Sequence, residues 1–428
     1  MINILFFIAI FLLLILIKKY TIFSFESIIY SIFFIYGFSF YIDYHVFDVK
    51  YLSYGGLGTM NYNSNNYLII CCLYTSFLMF YSFGLIRNKH KVTIIKNKEL
   101  EIKQINSSYA LSYTLNKSGL FFNIILIFFS LLYIFLCFVL LSLDRADKIT
   151  FLTSNKFITT IASIGTFLFI IVCSNYVYNK SKINKFEKLF ILSSVIFGFL
   201  EGGREMFVYI LLVFLPYLRY SRNKFIPYLA LLTGLIGLII WKAISFWVIK
   251  SGDFHGLQDY LTTDFKFSIT SMDPLGSLLL LNNYLDGSVF FVDYYFSYFV
   301  NSIKQVLGAL GLIDYDSLSV ASVKYFDYQF YLRGKGFAFS GILESILNFW
   351  YFGPAVLGFT IGNITTNLKK YFSSEFKIKV IQIFLVIILL KLVRTELAVV
   401  LKIYLLPMII SYTLFFKKII YGSPKNNI

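Results

Sequence analysis

An arginine flanked by glycines and carboxylates interrupts an apolar run: Gly198-Phe-Leu-Glu201-Gly202-Gly203-Arg204-Glu205-Met206-Phe207-Val208. A guanidinium in a half-buried setting binds phosphate or diphosphate through paired N–H donors and stays charged. Glycines beside it let backbone N–H groups approach an anion. Two more clusters use the same residue types: Arg333-Gly-Lys335-Gly336, with Glu344 shortly after, and Arg394-Thr-Glu396. Together they provide fixed cations (Arg204, Arg333, Arg394 and Lys335) and groups that orient or deprotonate a hydroxyl (Glu205, Glu344, Glu396 and His255). Each has a plainer reading. Arg204 can pair with Glu201 or Glu205 to cap a hairpin, and Arg394 with Glu396 can be an ordinary ion pair. Arg333 and Lys335 can be solvated loop charges, and His255 a surface histidine.

The elements that carry these residues follow from length and charge. Residues 189 to 218 are almost wholly apolar. One straight helix of about 30 residues would be about 45 Å long, against a bilayer core of about 30 Å. It would also bury an arginine at about 2.5–3.5 kcal/mol. Both flanks, 179–188 and 219–224, are short and basic, so both belong on the cytoplasmic side. The run therefore reads as a hairpin of two short arms that turns at Gly202-Gly203, with Arg204 at its apex.

Over the 428 residues, 58% are hydrophobic and 14% charged, the composition of an all-α polytopic membrane protein. Apolar spans fall at 2–17, 22–42, 67–86, 120–142, 157–178, 189–201, 204–218, 226–249, 340–366, 380–393 and 397–416. That gives about 11 transmembrane helices, with the N-terminus outside and the C-terminus inside. The net charge of +16 does not point to nucleic acid, because about 23 of the 38 Lys and Arg fall in the expected cytoplasmic segments, the positive-inside pattern. The chain divides into an N-terminal transmembrane bundle (1–249, about eight spans), a large extracytoplasmic segment (250–339) with interfacial helices, and a C-terminal transmembrane bundle (340–428, about three spans). Ser288–Val300 is too short to span and reads as an interfacial or re-entrant helix. The four cysteines lie in apolar spans without CxxC spacing, and the three histidines form no metal box. No Walker A, GxSxG or HExxH pattern occurs, so ATP hydrolysis, serine hydrolysis and zinc proteolysis have no support.

Gly202-Gly203-Arg204 opening an apolar helix resembles the glycine-arginine segment of Wzy-type O-antigen polymerases, the bacterial oligosaccharide repeat-unit polymerases. The stretch from Gly334 through Ser340, Glu344 and Asn348 to Gly353 and Gly358 is similar to that family's entry from the large outer loop into a span. Here the spacing from Asn348 to Gly353 is longer than the usual form. The resemblance implies a C-type glycosyltransferase-like fold in the bacterial cytoplasmic (inner) membrane. It implies polymerisation of undecaprenyl-diphosphate-linked oligosaccharides into O-antigen or capsular polysaccharide on the outer face, without cofactor or metal. Expected partners are those lipid-linked oligosaccharides, membrane lipids, a chain-length regulator and a flippase, and no nucleic acid. On this reading Arg204, Arg333, Arg394 and Glu344 are the catalytic candidates. Gly202, Gly203, Glu205, Lys335, Gly336, Glu396 and His255 are the substrate-binding ones. The alternatives are an O-antigen ligase or another lipid-linked-sugar transferase, and a lipid-linked oligosaccharide flippase.

Overall fold

The computed structural model describes residues 1–22, 24–87, 119–143, 151, 156–179, 183–200, 205–218, 269–272, 274–296, 300–301, 303–304, 307, 313, 316–332, 337–371 and 375–421. In chain order the elements are α1 (Ile2–Tyr20), α2 (Phe25–Phe47), β1 (Tyr51–Ser53), β2 (Thr59–Asn61), α3 (Asn65–Arg87), α4 (Gly119–Leu141), α5 (Lys156–Asn179), α6 (Lys185–Leu200), α7 (Glu205–Leu218) and α8 (Ile269–Met272). There follow α9 (Leu275–Leu285), α10 (Leu318–Phe326), α11 (Tyr328–Leu332), α12 (Gly341–Phe349), α13 (Gly353–Tyr371), α14 (Glu375–Leu392), α15 (Leu397–Val400) and α16 (Leu406–Tyr421), with a π-helical turn at Leu401–Leu405 joining the last two.

Among the described residues, six segments are long and apolar enough to cross a membrane: Ile2–Tyr20, Phe25–Phe47, Asn65–Ile86, Phe121–Leu141, Thr160–Val177 and Gly341–Leu368. The surface of α1 fits a hydrocarbon solvent. Its only buried side chains are Ala9 and Leu16, while Phe7 and Phe11 stand more than 60% exposed. Such a face is untenable in water and unremarkable in lipid. The protein is thus a helical membrane protein. Its one sheet among the described residues is the β1–β2 hairpin, which pairs Leu52 with Met60, both buried.

Contacts gather the chain into two compact units that cut across the three segments read from the sequence. One comprises residues 1–89, 266–372 and 384–402; the other comprises 90–265, 373–383 and 403–428. In the first, α13 runs parallel to α3 at backbone contact. A Cβ added at Gly358 or Gly362 would collide with the carbonyls of Phe77 and Tyr81, and one at Gly84 would lie 2.7 Å from the Phe359 carbonyl. Small residues four apart permit this approach, and van der Waals packing then holds helices together in lipid. Buried tyrosines tie the remaining helices: Tyr30 donates to the Ala9 carbonyl at 2.8 Å, and Tyr81 to that of Glu26 at 3.0 Å.

The described parts of 250–339 include several short helices. Within α9 every residue from Gly276 to Asn282 is buried. The interfacial helix expected over Ser288–Val300 is a 3₁₀ helix at Val289–Tyr294, with Val289 and Val292 exposed. The single span expected at 340–366 is two helices. The chain breaks at Trp350–Phe352, where Trp350 takes φ 50°. Short α12 is buried from Gly341 to Asn348, and α13 has enough length to cross alone, since its 19 residues span about 28 Å.

In the second unit, Tyr133 of α4 donates to the Ala162 carbonyl at 2.8 Å and stacks on Phe197 of α6 at 4.8 Å. Ser411 of α16 donates to the Ile164 carbonyl at 2.7 Å. Between α6 and α7 the chain folds back. A Cβ on Gly198 would lie 2.9 Å from Cβ of Met206, whereas eight residues of straight helix rise about 12 Å. The arms have 16 and 14 residues. The expected span at 226–249 lies outside the described residues.

Candidate functional site

Glu344, Arg394 and Glu396 of the first unit gather at the turn between α14 and α15. Helix α14 closes with Val393 donating to the Leu389 carbonyl, and with Arg394 and Thr395 both donating to that of Lys391, at 2.9 and 2.8 Å. This turn leaves the Arg394 side chain exposed. Glu396, two residues on, is fully buried as α15 begins.

Two carboxylates hold this turn to its surroundings. Glu344 lies in the first turn of α12, whose cap is Ser340, accepting from the Leu343 N–H at 3.2 Å. Glu344 is fully buried, and its Oε2 accepts from the backbone N–H of Leu397 at 2.7 Å. Glu396 Oε2 accepts from the N–H of Leu318, the first residue of α10, also at 2.7 Å. First-turn N–H groups have no partner within their own helix, and the helix dipole places positive charge there. At both points one carboxylate oxygen therefore meets a donor that its own helix leaves unsatisfied.

Around Arg394 and Glu396 the described residues add aromatic and charged groups. Burial pushes the Tyr54 hydroxyl above its ordinary range, and the nearby Arg394 guanidinium opposes that shift. Burial raises Tyr294 as well, reinforced by Asp293, Asp316 and Glu396. Lys324 pairs with Asp316 at 2.6 Å and lies 4.9 Å from the Tyr331 ring centre. Its hydrogen bond to Asp316 raises its pKa. The hairpin tip docks beside them: Gly56 N–H donates to Asp327 Oδ2 at 3.0 Å, and Tyr54 meets the rings of Phe330 and Phe337.

Of the residues singled out from the sequence, the structure joins Glu344, Arg394 and Glu396 into one assembly. Gly202, Gly203, Arg204, His255, Arg333, Lys335 and Gly336 lie outside the described residues, and Glu205 is described only as the first backbone position of α7. Sequence reasoning missed Asp43, which is fully buried near the end of α2. Its two oxygens accept from Ile269 and Thr270, the first N–H groups of α8, at 2.7 and 2.8 Å. An acidic residue in the apolar run Tyr-Ile-Asp43-Tyr-His45 was the available signal. Tyr54 and Tyr294 carried no comparable signal, since tyrosine is abundant throughout the chain. Among the described residues, no group of three or more His, Cys, Asp or Glu is placed to hold a metal.

What this assembly can do is bind an anion at Arg394 while buried carboxylates hold the turn's backbone in place. No family model, curated protein or solved structure matches the chain.

Proposed function

We propose that the protein is a polysaccharide polymerase, joining undecaprenyl-diphosphate-linked oligosaccharide repeat units on the outer face of a bacterial cytoplasmic membrane. One observation carries this reading: a helical membrane protein exposes Arg394 on a turn braced by two buried carboxylates, near Tyr54 and tied to α10 through Leu318. A diphosphate on a lipid carrier presents charge at that kind of boundary. The glycine-arginine hairpin around Arg204 and the Gly334–Gly358 stretch lend sequence support.

In the proposed reaction a sugar hydroxyl of one lipid-linked unit attacks the anomeric carbon of the growing chain. A C–O glycosidic bond forms, the bond from that carbon to the lipid diphosphate breaks, and the hydroxyl proton passes to a base. The leaving diphosphate gains negative charge, which fixed cations stabilise more in the transition state than in the bound substrate. Arg204, Arg333 and Arg394, with Lys335, are the cations proposed for this. Glu344 and Glu396 are fully buried, each with an oxygen on a backbone N–H, so the base is sought first at Glu205 and His255.

The test is a polysaccharide gel of a clean deletion, complemented with wild type, Arg204→Ala or Arg394→Ala. Loss of the ladder with a single repeat unit retained supports polymerisation. Each arginine variant should reduce polymer about a hundredfold at normal protein level. Loss of every repeat, including the single unit, would move the assignment to ligase or flippase, and accumulation of long lipid-linked polymer would single out the ligase.

A further inference from the structure

We propose that Glu344 and Glu396 are positioning residues, a two-step carboxylate ladder that fixes the Arg394 turn between α12 and α10. The first rung runs from Glu344 to the Leu397 N–H, 53 residues away, and the second from Glu396 to the Leu318 N–H, 78 residues away, both at 2.7 Å. Glu396 directly precedes Leu397. The residue next to the one that receives the first contact therefore makes the second, and the three helices are linked in series. Both carboxylates are fully buried, and both meet first-turn N–H groups that their own helices leave unsatisfied. Asp43 repeats the device at α8 with two bonds.

Serial linkage has a geometric consequence. Arg394 lies two residues before the carboxylate that anchors α10, and Asp316 lies two residues before the N–H that Glu396 holds. The anchor therefore sets where the Arg394 turn stands relative to Asp316 and Lys324.

A brace and a base respond differently to glutamine. A glutamine side chain keeps a carbonyl oxygen that can accept the same N–H, but it has no useful basicity. Alanine removes the acceptor and leaves a buried donor unmet.

The deciding experiment is hydrogen exchange on the purified full chain in lipid nanodiscs, following peptides that contain Leu318 and Leu397. Glu396→Ala should speed exchange at Leu318 and its neighbours, and Glu344→Ala at Leu397, each by about tenfold. The matching Gln variants should stay within about threefold of wild type. Unchanged exchange in the alanine variants, or glutamine variants as fast as alanine, would overturn the ladder. A second arm rests on the polymerase reading: the Gln variants should restore the polysaccharide ladder and the Ala variants should not. Polymer lost in Glu344→Gln or Glu396→Gln with exchange still slow would overturn the positioning role in favour of proton or charge chemistry at that carboxylate. A polysaccharide ladder that persists after deletion of the gene would sink the polymerase reading and leave the exchange arm standing. If an alanine variant does not accumulate in the membrane, Glu344→Met and Glu396→Met, which keep the side-chain length but lack the oxygen acceptor, take its place with the same expected speeding of exchange.

Discussion

A carboxylate removed from water loses the donors that water supplied, and an oxygen left without one costs about 1–3 kcal/mol. Asp43, Glu344 and Glu396 are buried together with the one kind of donor that helices leave over. Asp43 is the most demanding, since both its oxygens accept. In Asp43→Asn one of the two N–H groups would face an amide NH₂, so the variant should lose about 1–3 kcal/mol. Thermal unfolding followed by fluorescence-detected size exclusion measures this, and an unchanged midpoint would remove the two bonds from the account. Arg394 permits a second residue-scale check. Tyr54 has a folded pKa raised above its ordinary 10.0 by burial, against the opposing field of Arg394. A raised folded pKa gives stability that is fully present below pH 10 and lost as pH rises through the folded value. Removing the arginine removes the lowering influence. With 3-fluorotyrosine placed at 54 and read by ¹⁹F NMR, Arg394→Ala should shift the titration midpoint upward. A midpoint that falls or does not move would mean that Arg394 does not act on Tyr54.

Two helical breaks show what an element discloses about itself in sequence. The turn between α6 and α7 was legible because Gly202-Gly203 coincides with charge and the run is too long for one crossing. The break between α12 and α13 was not, because Trp350-Tyr351-Phe352 is as apolar as the helices around it. Only Gly353-Pro354 marks the spot, with proline inside the first turn of α13, where its missing N–H costs nothing. Carboxylate contacts that join residues 53 and 78 apart leave no local pattern at all. Trp350, at φ 50° and ψ −149°, occupies backbone space that glycine alone enters readily. Its side chain is 68% exposed, so little packing offsets the strain. Trp350→Gly should therefore stabilise the protein by about 1 kcal/mol, while Trp350→Ala, which keeps a Cβ, should not. A glycine variant that melts below wild type would show that the indole contributes more than the backbone costs.

At the scale of the whole molecule, the distribution of basic residues and the apolar exterior bear on one quantity, the parity of crossings. The segments 18–21, 87–119, 179–188, 219–225, 367–379 and 417–428 are all basic. Only an odd number of crossings with the N-terminus outside puts them all on one side, and the expected count is about eleven. The break at Trp350–Phe352 tests that count, because α12 is too short to cross. Its nine residues make about 14 Å of helix. If α12 and α13 together make one crossing, or if α12 is re-entrant and α13 crosses alone, parity is unchanged and the 269–337 segment stays outside. Were α12 to add a crossing through a thinned region, 269–337 and the C-terminus would fall on the same side. Reporter fusions separate these cases. Alkaline phosphatase fused after Leu332 should be active and the same fusion after Asn184 inactive, while green fluorescent protein at the C-terminus should fluoresce. Phosphatase activity after Asn184 would break the hairpin argument for 189–218. An inactive Leu332 fusion beside a fluorescent C-terminus would need four crossings after Leu332 and would put Glu396 on the opposite side of the membrane from Leu318; the 2.7 Å contact between them does not allow this, so that result would overturn the carboxylate ladder.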